Sequence, residues 1–456
     1  MGAGATSRKL ATAEQAVAHS SREGAQLQAK AFRTRTLDLR GLLRLVLGAE
    51  LLGLVLWTVW SIHSKQGLFR WLGCDYAAYF SLTAALWSGD PTRMYRLDAL
   101  RGYIESLTVY SADLTTPLPA GAVPYPPLFA WLFTPFTLPS PPIGFGIWTG
   151  VNLLAALYLA RSVSGPFPTR ERRWVSLLFL VSFPVVNTLF TGQPAILLSC
   201  AFGQFFASLR AGREFRAGLW LSCLLFKPQY GILIGPLLLW KRQWHTVAGV
   251  AVGAMAVLFG SVIVAGLPAL LAYPNSLVDQ ADFRGTGTSA YPGSMINWRS
   301  FVWLLLLIVP EIGDGTATLL TLILGGVTVI CMLSAWRGPW VPSSSTFPSK
   351  IALVLLATLL ANYHSHAHGA VLLAVPIATI LATGRPSRLT RAAIVGAFLS
   401  PTLAFSITGS MHPAVWVMSV SMMACFASLL VEIRPRSEES GLSEVSPDRS
   451  VPRGSL

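Results

Sequence analysis

Residues 217–244, AGLWLSCLLFKPQYGILIGPLLLWKRQW, place a lysine and a proline in the middle of an apolar run. The run is long enough to cross a bilayer core of about 30 Å, but a proline removes a backbone hydrogen bond and interrupts a helix. Basic residues lie on both sides, in RAGREFR at 210–216 and KRQWH at 241–245, and basic loops are typical of the cytoplasmic side. We therefore predict a broken helix, which a membrane tolerates only beside protein or a wet cavity.

The composition indicates a membrane protein with many helices. Of the 456 residues, 53% are hydrophobic and only 12% are charged, whereas a soluble domain carries about 25% charged residues. Apolar stretches of about 20 residues recur along the chain, and the short alternating segments of an outer-membrane barrel are absent. The sequence predicts an all-α polytopic membrane protein with about 10–13 transmembrane or re-entrant helices.

The positive charge follows the predicted loops. The formal net charge is +14, and the arginines and lysines cluster in short stretches between apolar spans. This distribution argues against a nucleic-acid partner, and the positive-inside rule predicts that both termini are cytoplasmic in a plasma or inner membrane. We expect disordered tails at 1–40 and 434–456 and a membrane domain at 41–433, whose first external loop spans about 64–123.

Full spans and short apolar segments alternate along the membrane domain. Residues 126–138 and 298–310 are too short to cross easily, because a span needs about 20 residues. The predicted full spans are 41–62, 143–162, 174–191, 193–210, 245–267, 314–336, 350–364, 368–384, 391–409 and 413–432.

With this topology, polar residues from separate segments collect on the external face. They are Asp75, the GQP motif at 192–194, the loop at 268–299 and HSHAH at 364–368. Their convergence, together with the broken segments, predicts a polar site beside a cavity within the membrane.

Asp75 stands directly before the amphipathic stretch YAAYFSLTAALW, close to the end of the first predicted span. A carboxylate at the mouth of a membrane cavity could act as a general base on a hydroxyl group. It could equally be the N-cap of the helix that follows. Spacing alone leaves both interpretations open.

The triplet His364, His366 and His368 is conspicuous in a chain with seven histidines. On a helix, His364 and His368 would share a face and His366 would point away. The triplet could be a solvated helix end, part of a metal site, or an anion site built from imidazole N–H groups. No second His or Cys cluster supplies further metal ligands, and we favour the anion site.

Two cations complete the set of candidates. Lys227 within the broken segment could mark a ligand path, or its ammonium could snorkel to the membrane surface. Arg299 follows the external loop, in YPGSMINWRSF at 291–301; it suits bidentate binding of phosphate, or it could anchor the interface beside Trp298. No P-loop, GxGxxG, nucleophile elbow or HExxH motif is present, so we expect no nucleotide cofactor.

The order of these motifs resembles glycosyltransferase family 87, within the GT-C superfamily of membrane glycosyltransferases. The resemblance covers roughly residues 42–410, and family members include polyprenol-phosphate-mannose-dependent α-1,2-mannosyltransferases. It rests on the acid after the first span and on several motifs along the chain. These motifs are SGDPTRMY at 88–95, PYPPL at 124–128, TLFTGQPAILLSC at 188–200, the 217–244 stretch and the late histidine turn.

The resemblance implies an enzyme that uses no cofactor beyond its lipid-linked donor, although a divalent metal stays open. A polyprenyl-phosphate sugar would donate a hexose, by the resemblance mannose, to a hydroxyl of a glycolipid or glycan on the non-cytoplasmic face, with inversion. Asp75 matches the catalytic acid position and would act as the base. The candidate substrate-binding residues are Tyr125, Gln193, Lys227, Arg299, His364 and His368.

Two positions depart from the family pattern, and one other function is compatible with the sequence. Ala195 stands where the family often has asparagine, and Gly369 stands where an aspartate or histidine is common. The alternative function is a transporter or lipid flippase that uses the broken helices. A transporter commonly has internal repeats, and we find no clear repeat.

Overall fold

The computed structural model describes residues 41, 44–56, 59, 72–106, 123–278, 292–309, 311–384, 386–402, 404 and 411–433. The predicted tails at 1–40 and 434–456 lie outside these ranges, as do parts of the predicted external loops. Within them, the regular elements are α-helices and 3-10 helices. Residues 44–56, inside the first predicted span, are helical.

The α-helices that follow are numbered in chain order. They are α1 Cys74–Leu86, α2 Leu97–Ser106, α3 Pro127–Phe133, α4 Pro141–Ser164, α5 Thr169–Val181, α6 Phe183–Thr191, α7 Ala195–Arg210, α8 Glu214–Ser222, α9 Ile234–Trp240, α10 Trp244–Ala272, α11 Asn275–Val278, α12 Trp298–Ile308, α13 Asp314–Ala335, α14 Phe347–Ala361, α15 Ala374–Thr383, α16 Arg388–Phe398 and α17 Met411–Ile433. Short 3-10 helices lie at Pro91–Tyr95, Thr134–Phe136, Cys223–Phe226, Pro228–Tyr230, Pro292–Ser294 and Ala367–Leu373.

Several helices are long and apolar enough to cross a bilayer. Among the described residues, α4, α10, α13 and most of α17 meet this requirement, and the bent pair α5–α6 adds a fifth candidate. Most of α10 lies at the surface, as expected of a lipid-facing helix, since only 17% of its most apolar 18-residue segment is buried against protein. The fold prediction is confirmed: the chain is an all-α polytopic membrane protein.

The span predicted at 174–191 is not one straight helix. It breaks at Ser182, and α5 and α6 meet at an angle of 46°. Pro184 lies in the first turn of α6, where its missing N–H is tolerated, but it cannot continue a helix from the preceding residues. The predicted span is therefore a bent pair of helices and not one straight helix, and the bend brings α6 to the site described below.

The break in residues 217–244 is confirmed. α8 ends at Ser222 and passes into the 3-10 helix Cys223–Phe226. Lys227 then has non-helical angles, φ −136° and ψ 73°, before the 3-10 helix that Pro228 begins. The residue before a proline is pushed out of the α region, so the sequence KP places the break at the lysine.

The two other short segments also form short helices. α3 and the 3-10 helix that continues it end at Phe136, and α12 has 11 residues. Neither is long enough to cross a bilayer, which needs about 20 helical residues.

In the C-terminal half of the chain, the buried helix α14 lies at the centre of the packing. From Ile351 to Leu360, every side chain of α14 is at most 1% exposed. A helix that is apolar on all sides is expected inside a bundle, and α14 packs against α13, α15 and α17. It ends at Ala361, so the histidine triplet follows directly after this buried helix.

Gly192 joins α6 to α7 and permits a close approach to α1. Its φ of 82° lies in the left-handed region, and an added Cβ would lie 2.9 Å from the Cβ of Tyr76. The indole of Trp148 donates to its carbonyl oxygen at 2.6 Å. The N–H of Gly73, just before α1, donates to the carbonyl of Phe190 at 2.8 Å. These contacts bring the start of α1 against the α6–α7 turn.

Replacing Gly192 by alanine is expected to destabilise the protein, because an L-residue in the left-handed region costs about 1–2 kcal/mol and its Cβ would collide with Tyr76. The measurement is thermal unfolding of the detergent-purified protein. Gly146→Ala in α4 is the matched control, since nothing lies within 4 Å of that position, and alanine favours a helix. Equal melting temperatures for the two variants would contradict the role of Gly192.

Candidate functional site

Asp75 lies in the first turn of α1 but does not cap it. The helix begins at Cys74 with Gly73 as the N-cap residue, and no side chain makes the capping hydrogen bond. The N-cap interpretation of Asp75 is therefore wrong. The first turn still favours a carboxylate, because the amides at a helix N-terminus carry partial positive charge.

The carboxylate of Asp75 is surrounded by polar groups from other segments. Gln193 and Thr191 lie within hydrogen-bonding reach, and the ammonium of Lys227 attracts it electrostatically. Burial raises the pKa of Asp75, and these three groups only partly oppose this effect. The result is a carboxyl group with a higher proton affinity than an ordinary aspartate, which is the condition expected of a general base.

Lys227 is buried and has polar partners, so the snorkelling interpretation is wrong. Its side chain is 4% exposed. Its Nζ donates to Oε1 of Gln193 at 2.7 Å and lies 2.9 Å from Nε2 of His368. The rings of Tyr125 and Tyr230 lie 5.7 and 5.3 Å from the ammonium, within the distance at which an aromatic face attracts a cation.

Gln193 connects the three segments that meet here. Besides Lys227, its Oε1 accepts from the hydroxyl of Tyr79 at 2.8 Å and from that of Tyr125 at 3.2 Å. The two hydroxyl oxygens lie 3.0 Å apart, and since each hydroxyl has one proton, only two of these three hydrogen bonds form at a time. The structure thus brings Asp75, Tyr125, Gln193, Lys227 and His368 together, although they are far apart in the sequence.

The sequence reasoning did not identify Tyr79 or Thr191. Tyr79 follows Asp75 by four residues on the same helix, a spacing that places both side chains on one face. Thr191 directly precedes the GQP motif. Both signals were present, but neither residue type is unusual enough to single out without the contacts.

The histidine triplet does not have the predicted helical arrangement. His364 and His366 lie in a non-helical turn after α14, and the 3-10 helix begins only at Ala367. His366 lies between the other two histidines, with ring centroids 4.7 Å from His364 and 5.6 Å from His368. The expectation that His366 points away was therefore wrong, because the turn replaces helical spacing with an extended conformation.

A short pairing with the segment before α12 fixes this turn. Met295 and His366 form an antiparallel bridge, and the N–H of Ile296 donates to the carbonyl of Ser365 at 2.9 Å. Nδ1 of His366 lies 3.0 Å from the carbonyl oxygen of Ser294. Since a carbonyl only accepts, this nitrogen carries the proton.

The electrostatics of the triplet favour neutral imidazoles. Burial lowers the pKa of His366 to about 4, although the hydrogen bond to Ser294 opposes it. Burial and the neighbouring cations also lower the pKa of His364. At neutral pH these side chains therefore offer hydrogen-bond donors and acceptors rather than positive charge.

Arg299 lies at the His364 end of the row and is fully buried, so it is not an interfacial anchor. Its guanidinium stacks 4.2 Å from the ring centroid of Tyr363 and donates to that residue's carbonyl at 3.4 Å. Its charge acts on His364 and His366. Lys227 and Arg299 thus flank the histidines from opposite ends.

A cavity of about 570 Å³ opens beside the polar cluster. It follows α7 from Pro194, next to Gln193, to Gln204, and Arg216 lies at its border. Its wall is mostly aromatic and aliphatic, with Phe129, Phe133, Trp148, Leu197, Trp220 and Phe226 among its residues. Such a cavity suits an apolar ligand whose polar end reaches Gln193.

Metal ligands of the usual kind are not grouped here. Among the residues that the structure describes, no cluster of three or more His, Cys, Asp or Glu side chains has the arrangement of a metal site. Because His366 directs its single N–H at the carbonyl of Ser294, His364 and His368 are the imidazoles of the triplet that can donate an N–H to a ligand.

The comparisons with known proteins give one match. The model of Glycosyltransferase family 87 matches residues 124–362, just over half of the chain. Comparison with curated proteins and with solved structures gives no match.

The match includes one side of the polar cluster and excludes the other. Tyr125, Gln193, Lys227 and Arg299 lie within the matched residues, whereas Asp75 and the histidine triplet lie outside them. The family expected from the order of the motifs is confirmed. The chain belongs to glycosyltransferase family 87, a family of membrane glycosyltransferases.

Proposed function

We propose that the protein transfers a hexose, mannose by its family resemblance, from a polyprenyl-phosphate sugar to a hydroxyl of a glycolipid or glycan. The observation that carries the proposal is a partly buried carboxylate, Asp75, that is electrostatically coupled to the ammonium of Lys227. An apolar cavity lies close by, since its wall includes Phe226, the residue before Lys227. A carboxylate suits the acceptor hydroxyl, a cation suits the phosphate, and an apolar cavity suits the lipid. We place the reaction on the non-cytoplasmic face of the plasma or inner membrane.

The reaction requires one proton transfer and one displacement. Asp75 takes the proton of the acceptor hydroxyl while the oxygen of that hydroxyl attacks the anomeric carbon of the donor. The bond between that carbon and the phosphate oxygen breaks, and the bonding electrons leave with the polyprenyl phosphate. A single displacement from the opposite face inverts the anomeric configuration. No nucleotide is required, because the phosphodiester of the donor already supplies a leaving group, the polyprenyl phosphate.

The leaving phosphate needs positive charge and hydrogen-bond donors aimed at it. Lys227 supplies an ammonium, and Nε2 of His368 accepts from it, which leaves the proton of that imidazole on Nδ1. A neutral imidazole with a fixed tautomer is a directed donor. The histidine triplet and Arg299 continue the line of polar side chains from Lys227 away from Asp75.

The prenyl chain is assigned to the cavity along α7. The wall residues from Pro194 to Gln204 cover about 15 Å of helix at 1.5 Å per residue. Burial of an isoprenoid against this aromatic wall removes apolar surface from contact with water and lipid headgroups. The phosphate would then lie near Gln193, at the end of the cavity where Lys227 is held.

Asp75→Asn is expected to reduce sugar transfer by about 10²–10⁴-fold, the usual contribution of a general base. The measurement is the initial rate at which membranes containing the variant transfer label from polyprenyl-phosphate [¹⁴C]mannose. Asp98→Asn is the matched control, because Asp98 lies in the same predicted loop but is 69% exposed and paired with Arg96. Wild-type transfer by the Asp75 variant would contradict the assignment of the base.

The rate of transfer is expected to fall as the pH is lowered. The base must be ionised, and since burial raises the pKa of Asp75, activity is present above that pKa and lost below it. Lys227→Met removes the charge that favours the ionised form, so the acidic limb should move to higher pH. The measurement is kcat against pH at saturating donor; an acidic limb at the same pH in both proteins would contradict the coupling.

Filling the cavity should weaken binding of long-chain donors selectively. Leu197→Trp is expected to raise the KM for a long polyprenyl donor about tenfold, since losing about two buried methylene groups costs roughly 1.6 kcal/mol. The matched control is Leu322→Trp on α13, where the side chain is 61% exposed and lies outside the cavity. An equal KM for both variants, or an equal effect on a two-isoprene donor, would contradict the assignment of the cavity.

A further inference from the structure

We propose that Gln193 is a positioning residue that holds Asp75 and Lys227 in their relative geometry, and that it is not primarily a substrate contact. The inference rests on the proposed function for its consequence in catalysis. Its structural part can be tested without any sugar transfer.

The orientation of the Gln193 amide follows from its partners. Lys227 has only donor hydrogens, so the Gln193 atom that lies 2.7 Å from its Nζ must be the oxygen. The hydroxyls of Tyr79 and Tyr125 also point at this oxygen. A carbonyl oxygen has two lone pairs, so Lys227 and one of the two tyrosine hydroxyls are enough to use its accepting capacity.

The amide nitrogen must then face away from this group of donors. An ionised Asp75 can only accept, so its hydrogen bond with Gln193 must come from the amide nitrogen. Tyr79, on the same helix as Asp75, donates to the amide oxygen at 2.8 Å and ties this helix to Gln193. Gln193 is thus placed between the base and the cation: its oxygen accepts from the ammonium and its N–H group faces the carboxylate. At 6% exposure it has little room to adopt another rotamer.

This arrangement affects the chemistry that Asp75 can perform. The ammonium of Lys227 binds Gln193 and His368 and makes no direct ion pair with Asp75. A direct pair would occupy the carboxylate oxygens and hold them in the wrong direction for a hydroxyl. With Gln193 between the two groups, Lys227 still favours the ionised form of Asp75 through space, while a carboxylate oxygen stays available to the acceptor.

The tyrosines give the amide a rigid support. The hydroxyl of Tyr95 donates to the carbonyl of Tyr125 at 2.8 Å, and the rings of Tyr79 and Tyr125 meet edge-to-face at 5.1 Å. Side chains locked by packing and hydrogen bonds hold a catalytic group more precisely than side chains that can rotate. Tyr79 and Tyr125 therefore act through Gln193, and Tyr125 is a support for the site.

Gln193→Glu separates the accepting function of the side chain from its donating function. A glutamate still accepts from the tyrosines and from Lys227, but it cannot donate to Asp75, and its charge disfavours ionisation of that residue. The first measurement is the pH dependence of Asp75 modification by a hydrophobic carbodiimide, which reacts with protonated carboxyl groups. Peptide mass spectrometry of the detergent-purified protein distinguishes Asp75 from the new residue.

The midpoint of Asp75 modification should move to higher pH in Gln193→Glu and stay unchanged in Gln243→Glu. The control residue lies at the start of α10, where its amide donates to the carbonyl of Lys241. A second variant, Gln193→Met, keeps the approximate volume of the side chain and removes both hydrogen-bonding groups. It should also raise the midpoint pH of Asp75 modification, and it provides a test if the glutamate variant does not fold. Equal midpoints in all the folded proteins would overturn the proposal.

The second measurement is the kinetics of transfer from the polyprenyl-phosphate [¹⁴C]mannose probe. A positioning role predicts that Gln193→Met lowers kcat about 10²-fold, with KM for the donor unchanged within about twofold. A large rise in KM with kcat unchanged would instead show a substrate contact and overturn the proposal. A shifted midpoint without transfer in the wild-type protein would contradict the proposed function while leaving the positioning role supported.

Discussion

The site depends on the burial of one ammonium group in an apolar part of the chain. Lys227 is 4% exposed, and an unpaired charge in such surroundings would lose its proton or unfold the segment. Its partners come from the α6–α7 turn, from the start of α1 and from the segment after α14. The need to satisfy Lys227 therefore explains why these distant segments meet at one place.

The interrupted helices are the structural consequence of that meeting. A continuous helix would direct the Lys227 side chain sideways toward its neighbours or lipid, whereas the break at KP allows non-helical angles at Lys227 itself. Two further breaks, the bend before Pro184 and the left-handed conformation of Gly192, bring Gln193 to the same place. Each break frees backbone groups that need partners, and a membrane tolerates this only where protein surrounds them.

Much of this arrangement was accessible from the sequence. Hydropathy located the apolar helices, although those at 195–210, 347–361 and 367–383, where full spans are predicted, are at most 17 residues long. Prolines located the breaks, and the positive-inside rule grouped Asp75, Gln193 and the histidines. The contacts of His366 and Arg299 were not accessible, because pairing between residues 294–296 and 365–366 replaces helical periodicity there. The role of Tyr79 was missed for a different reason: a tyrosine in an amphipathic helix becomes informative only once its hydroxyl partner is known.

Gly369 leaves room for the aromatic ring that lies beside Lys227. An added Cβ at this position would lie 3.1 Å from the ring and the hydroxyl of Tyr230. The same ring lies 5.3 Å from the ammonium of Lys227. An aromatic face attracts a cation without neutralising it, whereas a carboxylate at this position would form a direct ion pair with it. The glycine and the tyrosine thus leave Asp75 as the carboxylate to which Lys227 is electrostatically coupled. This coupling opposes the effect of burial and favours the charged form of the lysine, which a leaving phosphate requires.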